Sequence, residues 1–395
     1  MPVDTSVSTG STGRVKHPIF TDEHDQLRDS IRRFVSRELR PHAEEWEQST
    51  FPDSVFHRMG ELGLLGLDKP VEYGGQGGDY FTAMVLAEEM AASRCAGLAM
   101  GVAVHTDMVM PPILEFGTEQ QKQQWVVPAI AGSKILCLGI TEPDAGSDVK
   151  GIKTHARREP GGDWIINGSK TYITNGHRAD VILLVTKNDK AAGYDGFTLF
   201  LVPMDAPGVI REQRLNKLGM HGSDTALLAF QDVRVPDSAV LGKVGHGFRQ
   251  IMWQLQGERL INAASWVATA QLYFDQTLQF AKQREAFGQP IGMFQAIRHK
   301  FAHMATQIEA SRALVYNTAG RFAAGDYPVR EISMAKLHAA QMVCEVMDDC
   351  LQIHGGAGYM KEYEIERAWR DMRLARIGGG SDEVMLDIIG KSFGL

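Results

Sequence analysis

The sequence predicts an α+β protein in which a β section separates two helical sections. Three observations carry this prediction. Apolar residues recur at helical spacing from Asp22 onward, short apolar strands bounded by turn residues follow from about residue 135, and long proline-free helical runs return after Gly245. The length of 395 residues fits this division, because it corresponds to two or three domains of ~150 residues each.

An N-terminal helical domain is expected over residues 17–134. Leu27, Ile31 and Phe34 fall on one face of a helix with charged residues between them, and Pro41 marks a boundary. Two further helices are expected after that boundary, over residues 52–65 and 80–92.

The first 16 residues are expected to be a disordered lead-in, because Ser, Thr and Gly dominate them and they lack the apolar core of a signal peptide. No membrane span is expected either. The most apolar stretch, residues 90–110, contains Arg94, His105 and Asp107, which favours a buried helix of a soluble protein.

A central β domain is expected over residues 135–243. The Asn167-Gly168 dipeptide lies between two strand-like segments, and this arrangement predicts a two-residue hairpin. Further strands are expected over residues 181–185, 197–202 and 225–235.

A C-terminal helical domain is expected over residues 244–395. Its long helices are predicted over residues 248–283, 297–325 and 329–354. Three long antiparallel helices and a shorter last one are typical of a four-helix bundle.

Composition excludes several classes of function. A net charge of −7 and a pI of about 6.0 leave no basic surplus for nucleic acid. The four cysteines form no Cys-x-x-Cys pair and are expected to be free thiols in a reducing compartment. The Walker, Rossmann and zinc-protease motifs do not occur. His299 and His303 lie one helical turn apart without an obvious carboxylate partner nearby, so no metal is expected.

Two glycine-containing stretches are candidates for a binding site. Residues 139–151, which read GITEPDAGSDVKG, join the first helical section to the β section and can offer hydroxyls and open backbone N–H groups. Residues 352–359 read QIHGGAGY. Taken singly, the first is as well explained as an interdomain turn and the second as the cap of a helix.

Together the two stretches resemble the signature segments of the acyl-CoA dehydrogenase family of flavoenzymes. The first matches the family pattern of a small residue, an apolar residue, Ser or Thr, Glu, two free positions, a small residue, Gly, Ser or Thr, and Asp. The second matches Gln-x-x-Gly-Gly-x-Gly, and residues 282–288 are similar to a third segment that ends in Arg-x-x-Phe-Gly. The resemblance spans about residues 20–393 and implies an N-terminal α-helical domain, a central β-barrel-like domain and a C-terminal four-helix bundle.

The resemblance implies that FAD binds between the β domain and the C-terminal helices. Tyr172 would pack on the flavin, and the Thr174 hydroxyl would hydrogen-bond its reactive edge. The other residues implied near FAD in the same subunit are Leu138, Ile140, Thr141, Gly146, Ser147, Ser381 and Glu383. The residues implied to reach the FAD of a neighbouring subunit are Arg284, Phe287, Gln295, Gln352, Gly355 and Gly356. A homotetramer or homodimer follows from that second set.

The catalytic base requires a separate argument. Many members of the family carry a glutamate where this chain has Gly379, so the chain is either an inactive relative or has its base elsewhere. In the isovaleryl-CoA and long-chain branches the base is on a core helix, and Glu258 matches that position. A lone glutamate in an apolar helical run is costly to bury without a purpose. The alternative is a surface glutamate paired with Arg259 or Arg284.

The resemblance implies α,β-desaturation of an acyl-CoA to a trans-2-enoyl-CoA. Glu258 would remove the α-proton, and the β-hydrogen would leave as a hydride to flavin N(5). A ribityl hydroxyl of FAD and the backbone N–H of Gly379 would hydrogen-bond the thioester carbonyl. The residues expected at the substrate are Ser147, Gln256, Arg259, Gly379 and Gly380. The glycine run at 378–380 could admit branched or bulky acyl groups, and the resemblance to the long-chain branch of the family implies a saturated long-chain or methyl-branched acyl-CoA.

The expected electron acceptor is an electron-transferring flavoprotein, and the expected location is the cytoplasm of a bacterial-type cell rather than the mitochondrial matrix. Two alternatives remain open from the sequence. One is a related flavin oxidase that reacts with oxygen. The other is a non-catalytic protein that binds FAD or CoA.

Overall fold

The computed structural model describes residues 17–189 and 192–395, so the expected lead-in over residues 1–16 lies outside the described residues. Helices, then a sheet, then helices again follow one another along the chain. The predicted α+β class and its order of sections are confirmed.

The N-terminal section is built from short helices that π-helical turns connect. Its α-helices are α1 (Asp22–Phe34), α2 (Ala43–Gln48), α3 (Ser54–Glu61), α4 (Tyr80–Met90), α5 (Ala96–Ala103), α6 (Met110–Phe116), α7 (Glu119–Gln121) and α8 (Val127–Ile130). Pro41 lies in a short 3₁₀ turn, and the chain continues from this turn directly into α2. The helical stretch Ala96–Phe116 is long and apolar enough to cross a membrane, but 67% of its most apolar window is buried inside the protein. That burial is typical of a core helix.

The central section is a mixed sheet. Its strands are β1 (Leu136–Gly139), β2 (His155–Arg158), β3 (Trp164–Thr174), β4 (Val181–Lys187), β5 (Phe197–Pro203), β6 (Val209–Arg214), β7 (Thr225–Val235) and β8 (Val240–Leu241). Their order in the sheet is β6-β7-β3-β2-β4-β5-β8, and β1 pairs in parallel with β4. Strand β4 is apolar at successive positions because one face packs on the N-terminal helices and the other on a second core within the β section.

The predicted hairpin at Asn167-Gly168 is wrong. Residues 164–174 form the single strand β3, which pairs with β7 on one side along most of its length. The pair lies in a bulge where Asn167 and Asp232 exchange two hydrogen bonds. Gly168 is required there, because a Cβ would lie 2.5 Å from the Thr154 Cα. The turn instead precedes β3 at Gly161-Gly162, where Gly162 has a φ of +95°.

The C-terminal section contains the three predicted long helices. They are α9 (Gly247–Gln283), α10 (Gln295–Ala323) and α11 (Val329–His354), and they are followed by α12 (Ile365–Met372) and α13 (Asp382–Lys391). A short hairpin of β9 (Glu285–Ala286) and β10 (Gln289–Pro290) joins α9 to α10. Helix α9 packs against α4 as well as α10 and α11, so it lies where the two helical sections meet.

Candidate active site

Glu258 lies on α9 at the junction of the helical sections, and only 6% of its surface is exposed. The alternative of a surface glutamate therefore does not hold. Its nearest polar partner is Gln254, whose Nε2 donates to the Glu258 Oε2 at 3.0 Å. A Cβ built on Gly379 would lie 3.4 Å from the other carboxylate oxygen. The structure thus places Glu258 against the backbone position where many relatives carry their glutamate.

The surroundings of Glu258 make it a stronger base than an exposed glutamate. Burial raises the pKa of the Glu258 carboxyl, because the charged form loses hydration. The hydrogen bond from Gln254 and the charges of Arg259 and Lys336 act in the opposite direction, and the net shift is upward. A carboxylate whose pKa is raised by burial is a stronger base than an exposed glutamate.

Two cationic side chains hold the glycine loop 378–380 beside Glu258. The Arg259 Nε donates to the Gly379 carbonyl at 2.9 Å. The fully buried Lys336 donates to the carbonyls of Ala375 and Gly380 at 2.9 and 2.5 Å. Gly379 and Gly380 have φ angles of +66° and +108°, so this loop depends on glycine. Burial lowers the pKa of Lys336 to about 8, which keeps most of it charged at neutral pH.

Sequence reasoning did not identify Lys336. The helical spacing could have identified it, because Lys336 falls on the same buried face of α11 as Ile332, Ala335 and Ala339. A lysine on such a face needs partners, and those partners come from a loop about forty residues later in the chain.

Gln256 was expected at the substrate together with Glu258, and the structure separates the two side chains. Residues two apart on a helix do not share a face. The Gln256 Nε2 donates to the Met252 carbonyl on α9 itself at 2.9 Å. Arg259 is adjacent to Glu258 in the chain, but its Nε donates to the Gly379 carbonyl. Its first role is therefore to hold the glycine loop 378–380.

Two of the segments expected around the flavin ring, the loop after β1 and strand β3, meet within the β section. Strand β1 leads into the loop that carries Thr141, Gly146 and Ser147, and the Thr171 N–H of β3 donates to the Thr141 carbonyl at 2.9 Å. Tyr172 stands next to that contact. Leu138 and Ile140 are partly buried and pack on the core that joins the sheet to the N-terminal helices.

Tyr172 combines a strained backbone with an exposed aromatic side chain, as a ligand-binding residue often does. Its φ is +60° at a bulge of β3, and 70% of its surface is exposed. Bulky residues rarely adopt a left-handed backbone, and such strain concentrates at binding sites. Thr174, two residues further along, is half-buried, and Gly146 has open space where a Cβ would stand. An exposed ring beside hydroxyls and open backbone fits a flat polar cofactor such as flavin.

A buried ion pair anchors this loop, and sequence reasoning assigned neither member a role. The fully buried Lys170 donates to the Glu142 Oε1 at 2.8 Å and to the Ile140 carbonyl at 2.9 Å. Glu142 also accepts from the backbone N–H groups of Lys153 and Thr154. Glu142 is a fixed position of the signature pattern, and that was the available signal.

Ser381 and Glu383 lie where the glycine loop enters α13. The Ser381 Oγ caps that helix by accepting from the Val384 N–H at 3.4 Å. Glu383 is exposed in the first turn. These positions border the loop at Gly379 and Gly380, but Ser381 already has a structural role as the helix cap.

The six residues expected to reach a neighbouring subunit lie at the far end of α9 and are exposed. Arg284 follows Glu258 by 26 positions, which is ~39 Å along a helix. The rings of Phe280 and His354 stack at 4.2 Å and bring the end of α11, with Gln352, next to the end of α9. Phe287 has 96% of its surface exposed. This second surface is remote from Glu258 within one subunit.

A cavity lies between α9 and helices α4, α5 and α12, and its lining on α9 begins at Ile261, three residues after Glu258. It offers about 60 Å³ of space to water. Its apolar lining includes Leu86, Met90, Met100, Ile261 and Trp266. Among the described residues, no group of three His, Cys, Asp or Glu side chains is placed to hold a metal ion.

Comparison with known proteins identifies the family. Models of the acyl-CoA dehydrogenase N-terminal, middle and C-terminal domains match residues 21–133, 137–233 and 245–394. The chain is 39% identical over 376 residues to the mitochondrial long-chain specific acyl-CoA dehydrogenase of Sus scrofa. The aligned region covers 94% of this chain and 87% of that protein. It is 37% identical to the mitochondrial isovaleryl-CoA dehydrogenase of Solanum tuberosum, with 94% and 91% covered.

Solved structures agree with the sequence relatives. A crystal structure of an acyl-CoA dehydrogenase from Geobacillus kaustophilus superposes with a TM-score of 0.93 at 38% identity, covering 96% of this chain and all of that one. A structure described as the electron transferring flavoprotein of Acidaminococcus fermentans contains a chain with a TM-score of 0.91 at 34% identity, with 96% and 99% covered. This chain therefore belongs to the acyl-CoA dehydrogenase family of flavoproteins, and it is an oxidoreductase that acts on acyl-CoA.

Proposed function

We propose that this enzyme desaturates a long-chain or methyl-branched acyl-CoA to the trans-2-enoyl-CoA, with Glu258 as the base that removes the α-proton. The observation that carries the proposal is the buried Glu258 carboxylate facing Gly379. A thioester α-proton is weakly acidic, so its removal needs a desolvated base and a donor for the negative charge that develops on the carbonyl oxygen.

The chain itself supplies a donor for that charge. Among the described residues, the Gly379 N–H has no hydrogen-bond partner, whereas its carbonyl is held by Arg259. A fixed, free N–H next to Glu258 is the arrangement that a developing enolate oxygen requires. Arg259 and Lys336 keep this loop in place, and their charges further stabilise negative charge nearby.

FAD is the proposed cofactor, and the surface around Tyr172 would hold its ring. The hydroxyls of Thr141, Ser147 and Thr174 and the open backbone at Gly146 provide the polar contacts. When bound, FAD would supply the acceptor for the hydride that leaves the substrate β-carbon. The residues at the far end of α9 would hold the adenosine half of FAD from another subunit, and the ~39 Å separation from Glu258 supports a homodimer or homotetramer.

An electron-transferring flavoprotein is the proposed acceptor of the electrons, since a chain of this fold occurs in a structure described by that name. The proposed location is the cytoplasm, as the sequence predicts. The reaction then consumes a saturated acyl-CoA and releases its enoyl-CoA.

The substrate class follows from the space near Glu258 and beyond it. Added Cβ atoms at Gly378 and Gly379 would meet nothing closer than 3.7 and 3.4 Å, so these two glycines would leave room beside the thioester for a branch. The mainly apolar lining of the cavity beside α9 supports a substrate with an apolar acyl chain. The relatives carry names of several substrates, including long-chain, isovaleryl-CoA and short-chain specific enzymes, so the acyl preference of this chain is tested directly.

An anaerobic titration of the purified enzyme with acyl-CoAs tests the proposed function. Palmitoyl-CoA or a methyl-branched acyl-CoA should bleach the flavin absorbance and reduce a dye acceptor faster than butyryl-CoA, because the cavity rewards a longer apolar chain. Faster reduction with butyryl-CoA would overturn the proposed chain length. Peroxide release in air would point to an oxidase, and absence of bleaching by every acyl-CoA would point to a non-catalytic protein.

The pH dependence gives a second test. Glu258 acts in its ionised form, so kcat/KM falls as the pH drops through its pKa. Replacing Gln254 by leucine removes the hydrogen bond that stabilises the ionised form. A hydrogen bond to a charged group contributes roughly 1.5 kcal/mol, so the acid limb should move to higher pH by about one unit.

Gln256→Leu is the matched control, since this amide donates to the Met252 carbonyl and not to Glu258. Its acid limb should stay where the unmodified enzyme has it. If Gln254→Leu also leaves the limb in place, Glu258 is not the group that titrates.

A further inference from the structure

Helix α9 contributes three polar side chains to the cavity lining beside the apolar Ile261 and Trp266, and polar groups are unusual in a site that takes a hydrocarbon chain. Asn262, Ser265 and Thr269 follow Glu258 by four, seven and eleven positions, and all three line the cavity. These spacings place them on the same face of the helix as Glu258. Asn262 lies ~6 Å and Ser265 ~10 Å along α9 from Glu258.

The opposite wall brings a carboxyl group to the same cavity. Asp107 lies on the π-helical turn Val104–Val109 and lines the cavity together with Thr106. The Thr106 Oγ1 lies within hydrogen-bond distance of the Asp107 Oδ2, at 2.9 Å, and among the described residues no group hydrogen-bonds the other oxygen of Asp107. Burial raises the pKa of Asp107 to about 7, so both of its protonation states occur near neutral pH.

Some polar groups of the cavity are already satisfied by the protein. Thr269 donates to the Ser265 carbonyl at 2.8 Å, and the Thr106 hydroxyl has two acceptors in reach, the Val102 carbonyl at 3.0 Å and Asp107, of which it serves one at a time. Arg94 is engaged by Gln276 and Glu364. These residues therefore need nothing from a bound acyl chain.

Asn262 and Ser265 differ from that group. Within the described part of the chain, neither side chain makes a hydrogen bond, although both are half-buried and line the cavity. A plain hydrocarbon chain in the cavity would remove water from both groups and offer nothing in return. Burial of a polar group without a hydrogen bond is unfavourable, so such a chain would bind less tightly than one of the same length that offers these groups a partner.

We propose that the preferred acyl-CoA carries a hydroxyl group on its chain beyond the reacting carbons, which is hydrogen-bonded by Asn262, Ser265 and Asp107. This inference rests on the proposed function and narrows its substrate class. A hydroxyl both donates and accepts, so it matches the amide, the hydroxyl and either form of the carboxyl. A ketone only accepts and would leave an ionised Asp107 without a donor.

The reaction itself is unchanged by this group. The α-proton passes to Glu258, the β-hydrogen leaves as a hydride, and the hydroxyl remains on the product. The hydroxyl acts in recognition, because a site built to hydrogen-bond a group discriminates against the analogue that lacks it.

The test compares palmitoyl-CoA with a series of hydroxypalmitoyl-CoA isomers whose hydroxyl lies at successive carbons past the β-carbon. Purified holoenzyme and the variants Asn262→Leu and Ser265→Ala are assayed for kcat/KM by dye reduction. One isomer should exceed palmitoyl-CoA by about tenfold or more with the unmodified enzyme. Asn262→Leu should lose that preference while palmitoyl-CoA turnover stays or rises.

Met100→Leu is the matched control, because it changes an apolar part of the lining and should leave the ratio of the two substrates unchanged. The inference is overturned if no isomer exceeds palmitoyl-CoA, or if Asn262→Leu and Ser265→Ala both keep the preference. If no acyl-CoA of any kind is oxidised, the proposed function itself fails. Turnover of palmitoyl-CoA without a hydroxyl preference overturns the inference alone.

Discussion

Replacement of Glu258 by glutamine is expected to lower kcat for acyl-CoA oxidation by about 10²–10⁴-fold, the usual contribution of a general base. The amide cannot accept the α-proton, whereas its shape preserves the packing of the buried side chain. Because Glu258 is not among the residues proposed to hold FAD, FAD content should stay at the level of the unmodified enzyme. Stopped-flow reduction of the flavin by palmitoyl-CoA measures the loss directly.

Glu309→Gln is the control for this experiment, because that carboxylate lies on the exposed surface of α10, with 67% of its side chain accessible. Its rate should match that of the unmodified enzyme. A Glu258→Gln enzyme with full activity would remove Glu258 from the mechanism.

Because Gly379 lies close to the Glu258 carboxylate, a carboxylate introduced at position 379 should restore part of the activity lost in Glu258→Gln. A side chain at 379 would begin 3.4 Å from the Glu258 carboxylate, so Gly379→Glu in the Glu258→Gln background places a carboxyl group in the same space. The φ of +66° at Gly379 opposes a side chain there, at a cost of about 1–2 kcal/mol. Partial return of activity is therefore expected. Rescue by a carboxylate from the facing element would show that its position, rather than its place in the chain, decides the reaction.

Features that depend on one stretch of chain were predictable from the sequence. The long helix α9 was expected to within a residue of its observed bounds, because residues 248–283 contain no proline and Gly245 precedes them. Strand β7 was expected over its observed range, closed by Pro236. Glu258 was identified by its match to the base position that the family resemblance implies, and its place in an apolar helical run supported that choice because a buried ionisable residue needs a reason.

Features that depend on distant partners were not predictable. The Asn167-Gly168 pair has the composition of a hairpin turn, but pairing of β3 with β7 stabilises an extended strand with a bulge. The partners of Lys336 lie on another segment, and those of Glu142 and Lys170 are fixed only once the sheet has formed. The polar side chains that line the cavity come together only when α5 and the π-helical turn that follows it pack opposite α9.

The buried pair of Glu142 and Lys170 carries the second large expected effect. Burial lowers the pKa of Lys170 to about 8, although the charge of Glu142 opposes this shift. For Glu142, burial alone would raise the pKa, but Lys170 and the hydrogen bonds to the carboxylate outweigh it and the net shift is downward. Both groups are therefore charged at pH 7, and each depends on the other.

Replacement of Lys170 by methionine should destabilise the protein by about 3–5 kcal/mol, the usual cost of leaving one member of a buried pair uncompensated. The Ile140 carbonyl also loses its donor, so the loop with Thr141 and Ser147 should lose its fixed shape. A lower thermal midpoint and weaker retention of FAD are expected together. Thermal unfolding followed by circular dichroism and the flavin-to-protein absorbance ratio measure the two effects.

The double replacement Lys170→Met with Glu142→Leu separates charge from architecture. It removes both buried charges, so much of the lost stability should return. The backbone N–H groups of Lys153 and Thr154 and the Ile140 carbonyl would still lack their partners, so FAD retention should stay low. If the double variant regained FAD as well as stability, the two buried charges would only compensate each other and would have no role in shaping the loop. Recovery of stability without FAD would show that the pair exists to shape the loop.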